Sequence, residues 1–340
     1  MKRDLIVTLA DKNYINQAKQ LFSSIYFNSG WKGDYMLISD NIPENDLTWF
    51  RKKGIIIKKF MPISERKWGR WPTSLLLKFN IFKPEFKKWK TIICLDADII
   101  VRASLDKLKE VKEIAAIPGE QNFKDKMKRG SFSGELFQKI EKKYDLNVQN
   151  LNGGVIVINS SIIKKETFKE IISLLKKYEN YLVETDEAIL GLYFNRKIES
   201  LPKVYNTRPI LLDNKYIIKL KDIGGIIIHF VPGIYENFVP VEKLKPWHPK
   251  NDYYPEWKEN LDKADLINLK KRLAPRKIWA DEEIIEKENF YNSLKKRHSI
   301  LIELMTFILK IKGIIGKNRL LIKYNHPRLY RIIKKVIKEF

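Results

Sequence analysis

The chain has 340 residues, 44% of them hydrophobic, and a formal net charge of +24. That length and apolar fraction allow one large domain or two ordinary ones around a sizeable core, and they exclude global disorder. A single cysteine, Cys94, excludes an internal disulfide framework and a multi-cysteine zinc site, and suits a reducing compartment. The apolar run at 5–10 is too short for a signal peptide. The run at 300–309 is interrupted by Glu303 and followed by Lys310, so no spanning helix is expected. The expectation is a cytoplasmic protein that does not cross a membrane. The charge points to nucleic acid, an anionic membrane surface or a polyanionic substrate.

Residues 4–10 read as a buried strand, and 13–27 as a helix with Ala18, Leu21, Phe22 and Ile25 at helical spacing. The turn between them carries Asp11, Lys12, Asn13 and Tyr14, where a first βα loop meets a nucleotide. It has no Gly-x-Gly-x-x-Gly, so a dinucleotide cofactor is not indicated. Packing is the ordinary alternative for Tyr14. Residues 35–39 and 54–60 read as strands with a helix at 46–53 between them, and 72–82 has helical spacing. This alternation argues a mostly parallel sheet.

The run at 91–101 is the strongest signal. Residues 91–98 read as a strand whose first part, Thr91-Ile92-Ile93-Cys94-Leu95, is buried on both faces and which ends in Asp96-Ala97-Asp98. Buried charge is costly unless paired or bound to a metal. Two acids at the carboxyl end of a core strand suit a hard divalent cation that also takes phosphate oxygens. The plain alternative is a helix N-cap.

Beyond a short apolar run at 114–117, residues 121–150 read as a polar excursion with a Ser-Phe-Ser-Gly turn at 131–134, able to shape an acceptor site. Asn152-Gly153-Gly154 then precede a buried strand; glycine lets backbone approach a ligand, and a tight turn is the alternative. A helix is expected over 162–181. Asp186-Glu187 open the next helical segment, 188–195, and serve there either as caps or as carboxylates facing a sugar. A last core strand, 224–230, ends in His229-Phe230; the imidazole is a candidate metal ligand or a structural residue. Lys245-Pro246-Trp247 follows.

The tail differs in character. Residues 291–340 hold thirteen Lys/Arg against two Glu, a net of +11, whereas 251–290 hold eight against ten, a net of −2. Ile300, Leu304, Phe307, Ile308 and Ile311 form one apolar stripe, and Leu329, Ile333, Val336, Ile337 and Phe340 a second, each beside lysines and arginines. Basic amphipathic helices of this type lie in a membrane interface, and docking on the domain is the alternative. Nucleic acid ranks third: the sequence holds no zinc-finger or RNP-like motif.

The ordered set Thr8-Leu9-Ala10-Asp11…Tyr14, Lys78, Leu95-Asp96-Ala97-Asp98, Asn152-Gly153-Gly154, Asp186-Glu187, His229-Phe230…Gly233 and Lys245-Pro246-Trp247 resembles the family 8 glycosyltransferases, the group of glycogenin and the bacterial lipooligosaccharide galactosyltransferases. The resemblance covers roughly residues 4–250. It implies an α/β fold of the GT-A (Rossmann-like nucleotide-diphospho-sugar transferase) type, occupying 1–250, with 251–340 as a helical extension that is basic and amphipathic from about 291. It further implies a retaining transfer of a hexose from a UDP-sugar, with Mn²⁺ (or Mg²⁺), to a glycan or lipid-linked acceptor. Carried over, Asp96, Asp98 and His229 would be the metal ligands. Leu9, Ala10, Asp11 and Tyr14 would surround the base. Lys78, Ala97, Asn152 and Gly153 would line the donor site, Gly233 and Lys245 would hold the diphosphate, and Asp186 and Glu187 would stand at the sugar.

This chain departs from the family in having Glu187 where Gln is usual and Lys78 where Arg is common. The spacing from His229 to Lys245 is also longer than the family's. Two other classes compete: a phosphatase of the Asp-x-Asp haloacid dehalogenase type, which carries its acids on the first strand, and a non-enzymatic basic protein that binds membrane or RNA with a degenerate transferase domain. The expected location is the cytoplasmic face of a membrane, held peripherally through the tail.

Overall fold

The computed structural model describes residues 3–64, 72–126, 140–181, 186–208, 225–230 and 245–276. Gly233, the turn at 131–134 and both stripes of the tail lie outside the described residues.

In chain order the strands are β1 (Leu5–Asp11), β2 (Asp34–Asp40), β3 (Ile56–Lys59), β4 (Thr91–Leu95), β5 (Ile99–Val101), β6 (Ile114–Asn122), β7 (Gln149–Asn159), β8 (Ile198–Ser200) and β9 (Ile227–His229). The helices are α1 (Ile15–Asn28), α2 (Glu44–Lys52), α3 (Phe123–Lys126), α4 (Thr167–Tyr178), α5 (Asp186–Tyr193) and α6 (Tyr254–Asp262). The helical spacing at 72–82 is a 3-10 stretch, Thr73–Phe82.

Seven strands form one sheet in the order β3-β2-β1-β4-β7-β6-β8. The chain runs outward from β1 to β3, then returns to place β4 on the other side of β1. The crevice at the carboxyl ends of β1 and β4 is therefore a topological switch point, where open α/β sheets bind ligands. Alternate residues serve opposite faces: Leu5, Val7, Ile92 and Cys94 pack in one core, and Ile6, Ile93 and Leu95 in the other. Each fully buried aliphatic or aromatic side chain contributes about 1.5–3 kcal/mol, so β4, buried at every position, is a main anchor of both layers.

Two features differ from the reading of the sequence, and both shape the site. The acid-bearing strand does not run on to Asp98. It ends at Leu95, Asp96 to Asp98 form a turn, and β5 leaves the main sheet to pair antiparallel with β9. Desolvation explains the break: a carboxylate inside the ladder between buried apolar residues has no counter-charge, whereas a turn lifts it to the rim. The second difference is β7. It runs antiparallel to both β4 and β6, so the glycines lie within the strand, not ahead of it. A parallel β7 would have carried Asn152-Gly153-Gly154 to the far end of the sheet. Reversed, it sets them beside the end of β4, where Asp96 N–H donates to the Gly154 carbonyl at 3.0 Å.

Helix α1 is buried nearly all round, polar residues included. The Ser24 hydroxyl accepts from Val101 N–H at 3.1 Å, and Asn28 Nδ2 donates to the Val101 carbonyl at 2.8 Å, so the helix clips β5 in place. The segment after 250 covers the other flank. Tyr26 donates to carbonyls of Asn268 and Lys271, and the buried Arg102, just after β5, forks onto Glu256 of α6 at 2.7 and 2.5 Å. Among the described residues no helix is long and apolar enough to cross a membrane.

Burial pushes the Cys94 thiol up to about 12, so little reactive thiolate forms near neutrality. The folded protein is expected to resist a thiol reagent such as Ellman's, and to release one equivalent on denaturation. Rapid stoichiometric reaction in the native state would contradict this packing of β4.

Candidate active site

The register of the β5–β9 ribbon brings the first three groups together. Ile99 pairs with His229, and Phe230 N–H donates to the Asp98 carbonyl at 3.1 Å. His229 Nε2 thereby lies 3.3 Å from Asp98 Oδ1 and 3.8 Å from Asp96 Oδ2. One ligand atom from each of Asp96, Asp98 and His229 falls within 4.8 Å of the others. Neighbouring ligands of an octahedral ion at about 2.1 Å sit about 3 Å apart, so two carboxylate oxygens and one imidazole nitrogen at these spacings fit a hard divalent cation.

Lys78 forms the second part. Its side chain is buried, and Nζ reaches Asp96 Oδ1 at 2.6 Å, Asp186 Oδ2 at 3.2 Å and the Gly153 carbonyl at 3.2 Å. The Gly153 carbonyl and Asp96 accept hydrogen bonds from the ammonium, and the Asp186 contact is an ion pair. Burial pulls the Lys78 pKa down, but Asp186 and then Asp96 push harder, and the group stands well above the usual lysine value. It carries its charge near neutral pH. Asp96 divides its oxygens, Oδ1 to Lys78 and Oδ2 toward His229.

Burial raises the Asp96 carboxyl pKa; Lys78 draws it down, Asp98 pushes it up, and the net shift is upward. Asp96, Asp98, Asp186 and Glu187 share the crevice with one lysine, and a divalent ion would offset part of that excess of carboxylate.

The glycines of β7 make room for this. A Cβ on Gly154 would stand 2.0 Å from His229 Cε1, and one on Gly153 would stand 3.0 Å from Asp186 Oδ2. Neither reason is conformational; both are close approach. Glu187, at the start of α5, accepts from Gly153 N–H at 2.7 Å and from Asn152 Nδ2 at 3.4 Å.

The structure therefore unites Lys78, Asp96, Asp98, Asn152, Gly153, Asp186, Glu187 and His229 in one network. Ala97, between the acids, is buried. A second group stands at the start of α1. Leu9, Ala10 and Asp11 end β1, and Asp11 caps the turn by accepting from Asn13 N–H at 2.8 Å. Tyr14 meets Trp247 edge-on at 5.8 Å, and Lys245 Nζ lies 5.7 Å from the Trp247 ring centre. The described contacts tie Lys245 to this aromatic pair. Asn206 escaped the sequence reading: it is buried and bonded to both His229 and Asn152. It sits in Tyr205-Asn206-Thr207, which carries no motif and gives no signal.

A switch-point crevice, a buried lysine paired with two carboxylates and three side chains placed as a candidate metal site belong to an α/β protein with its functional groups gathered at the carboxyl ends of β1 and β4. The family described as glycosyl transferase family 8 matches residues 5–251, and the chain belongs to it; it is a glycosyltransferase of the GT-A fold. The phosphatase and non-enzymatic readings give way to that finding. No curated protein sequence matches the chain. Among solved structures, the bifunctional glycosyltransferase WbbM is 17% identical with a TM-score of 0.56, over 79% of this chain and 52% of that one. This chain spans about half the length of WbbM. The galactosyltransferase LgtC is 16% identical with a TM-score of 0.54, over 76% of this chain and 95% of that one. GlyE of Streptococcus pneumoniae is 20% identical with a TM-score of 0.51, over 86% and 64%. At these identities the likeness is one of fold.

Replacing Gly154 by Ala forces His229 or β7 to move. Overpacking of this kind costs about 1–3 kcal/mol. The folded Gly154→Ala protein is expected to bind Mn²⁺ at least about tenfold more weakly, as read by paramagnetic resonance of free Mn²⁺. Unchanged affinity would separate the imidazole from the cation site.

Proposed function

We propose that the chain transfers a hexose from a UDP-sugar, with retention at the anomeric carbon, to a glycan or lipid-linked acceptor at the cytoplasmic face of a membrane, with Mn²⁺ or Mg²⁺ as the metal. The observation that carries the reading is the meeting of Asp96, Asp98 and His229 beside the Lys78–Asp186 pair. LgtC, of similar fold, has been crystallised with donor and acceptor sugar analogues.

Asp96 Oδ2, Asp98 and His229 Nε2 would hold the metal. When bound, the ion supplies Lewis-acid stabilisation of the charge that develops on the departing diphosphate. The chain's own groups do the rest. Lys78 pairs with Asp186, and this carboxylate accepts hydrogen bonds from sugar hydroxyls and orients the ring. Glu187, held by Gly153 N–H, is the carboxylate that faces the oxocarbenium-like centre. Tyr14 and Trp247 offer aromatic surface for the base, beside Leu9, Ala10 and Asp11, and Lys245 supplies a cation for the diphosphate together with the Gly233 backbone.

The tail reading rests on composition: a net +11 over 291–340 coincides with two apolar stripes. It makes residues 1–250 the catalytic unit and the tail a peripheral anchor for anionic lipid.

UDP release from UDP-sugars is expected to require Mn²⁺ or Mg²⁺ and to fall by roughly a thousandfold in Asp96→Ala and Asp98→Ala, with the proteins still folded by thermal shift. Metal-independent release of equal rate would remove the mechanism. For the tail, full-length protein is expected to float with phosphatidylglycerol vesicles while a chain ending at Phe290 stays in the dense fraction. Equal flotation would leave the anchor without support.

A further inference from the structure

Metal-binding imidazoles need the ring nitrogen that faces the ion to be unprotonated, and an outer partner on the other nitrogen decides this. Which nitrogen of His229 carries its proton follows from the hydrogen bonds around it, beginning with groups whose roles are fixed. Gly154 N–H is a donor only, and it lies 3.2 Å from Asn152 Oδ1. The Glu187 carboxylate is an acceptor, and it lies 3.4 Å from Asn152 Nδ2. These two fix which end of the Asn152 amide is oxygen. Asn152 Oδ1 then needs a donor from Asn206, and Nδ2 of Asn206 is 2.6 Å away. That leaves Asn206 Oδ1, an acceptor, 2.9 Å from His229 Nδ1. Nδ1 must therefore hold the hydrogen, and in the neutral ring the lone pair of Nε2 points at the two aspartates.

We infer that Asn206 is a positioning residue that locks His229 in the Nδ1–H form and so makes Nε2 a ligand for the divalent cation between Asp96 and Asp98. The inference rests on the metal reading above and adds to it the residue that prepares the imidazole. Three further observations agree. Asn206 and His229 are both buried, at 3% and 2% exposure, so water does not compete for their bond. The backbone fixes their relation: Thr207 N–H donates to the Ile227 carbonyl at 2.9 Å, and His229 N–H to the Thr207 carbonyl at 2.8 Å. In this form the Nε2 lone pair faces carboxylate oxygen at 3.3 Å, a repulsive contact that a cation turns into coordination. The same chain of amides ends on Glu187, so one unbroken series of hydrogen bonds joins the imidazole to the carboxylate at the sugar.

The tautomer is read without metal. In ¹⁵N–¹H multiple-bond spectra of the full-length metal-free protein, at a pH where imidazoles are neutral, the His229 resonance, assigned by its loss in His229→Gln, is expected to be protonated at Nδ1. Asn206→Leu is expected to shift it to Nε2–H and to weaken Mn²⁺ binding by about tenfold to a hundredfold. Asn206→Asp gives up the bond to Asn152 but keeps an acceptor opposite Nδ1, so its Mn²⁺ affinity is expected to stay within about threefold of the parent. An Nε2–H ring in the parent protein overturns the assignment even if neither variant folds. A folded Asn206→Leu protein with unchanged tautomer and Mn²⁺ affinity overturns it as well. A parent protein that shows Nδ1–H yet binds no Mn²⁺ overturns the metal reading instead, so the two failures are distinguishable.

Discussion

The buried Lys78 ammonium is the constraint on which the rest depends. It stands behind the end of β4, paired with the Asp96 and Asp186 carboxylates and donating to the Gly153 carbonyl. A buried lysine persists only with such compensation, because removing one partner of a buried pair costs about 3–5 kcal/mol. Three elements are tied through one nitrogen: the turn after β4, the start of α5 and the middle of β7. Asp96 is thereby held with a single oxygen to spare, and that oxygen faces Asp98 and His229. The lysine does not neutralise the crevice. It orders the carboxylates and leaves their surplus charge for a mobile cation, which can arrive with an anionic substrate.

The topology brings this cluster together from segments far apart in the sequence. Parallel strands β1 and β4 bring their carboxyl ends to the switch point. Strand β7 reverses, so its glycines arrive there too. The ribbon of β5 and β9 then folds a distant imidazole over Gly154. Each step depends on the one before. Without the reversal of β7, Gly154 would not lie under the ring, and any larger residue there would exclude it. α1 supports the arrangement from outside by binding both backbone groups of Val101, and Arg102 ties the same strand to α6. The residues after 250 also pack on the strand that carries the imidazole: Tyr253 and Trp257 share one cluster with Ile100, Ile228 and Phe230.

Much of this was legible in the sequence. An apolar run ending in two acids identified β4 and the candidate ligands, because buried charge demands a partner. The paired glycines and the histidine at a strand end stood out for similar reasons. The direction of β7 was not legible: periodicity reports which residues are buried, and antiparallel and parallel core strands share the same apolar pattern. Nor was the break at Leu95, since apolar residues resume immediately after Asp98. Asn206 left no trace at all. Its role comes from one amide set between two others, and such a role has no spacing rule. A buried asparagine flanked by Tyr205 and Thr207 reads as ordinary loop chemistry until the ring it meets is placed.

Glu187 shows how far the charge argument extends. One oxygen, Oε1, accepts from both Gly153 N–H and Asn152 Nδ2, so Asn152 is turned with its oxygen toward Gly154 and Asn206. An amide oxygen in the same place would accept from the same two donors. Glu187 thus sets the polarity of a hydrogen-bond series that ends at the imidazole. It also adds a negative charge to a crevice already dominated by carboxylates, with Lys78 committed elsewhere. That extra charge raises the demand for a cation at Asp96, Asp98 and His229. The departure at Glu187 therefore acts through charge, while the orientation of Asn152 is one that an amide oxygen would also hold.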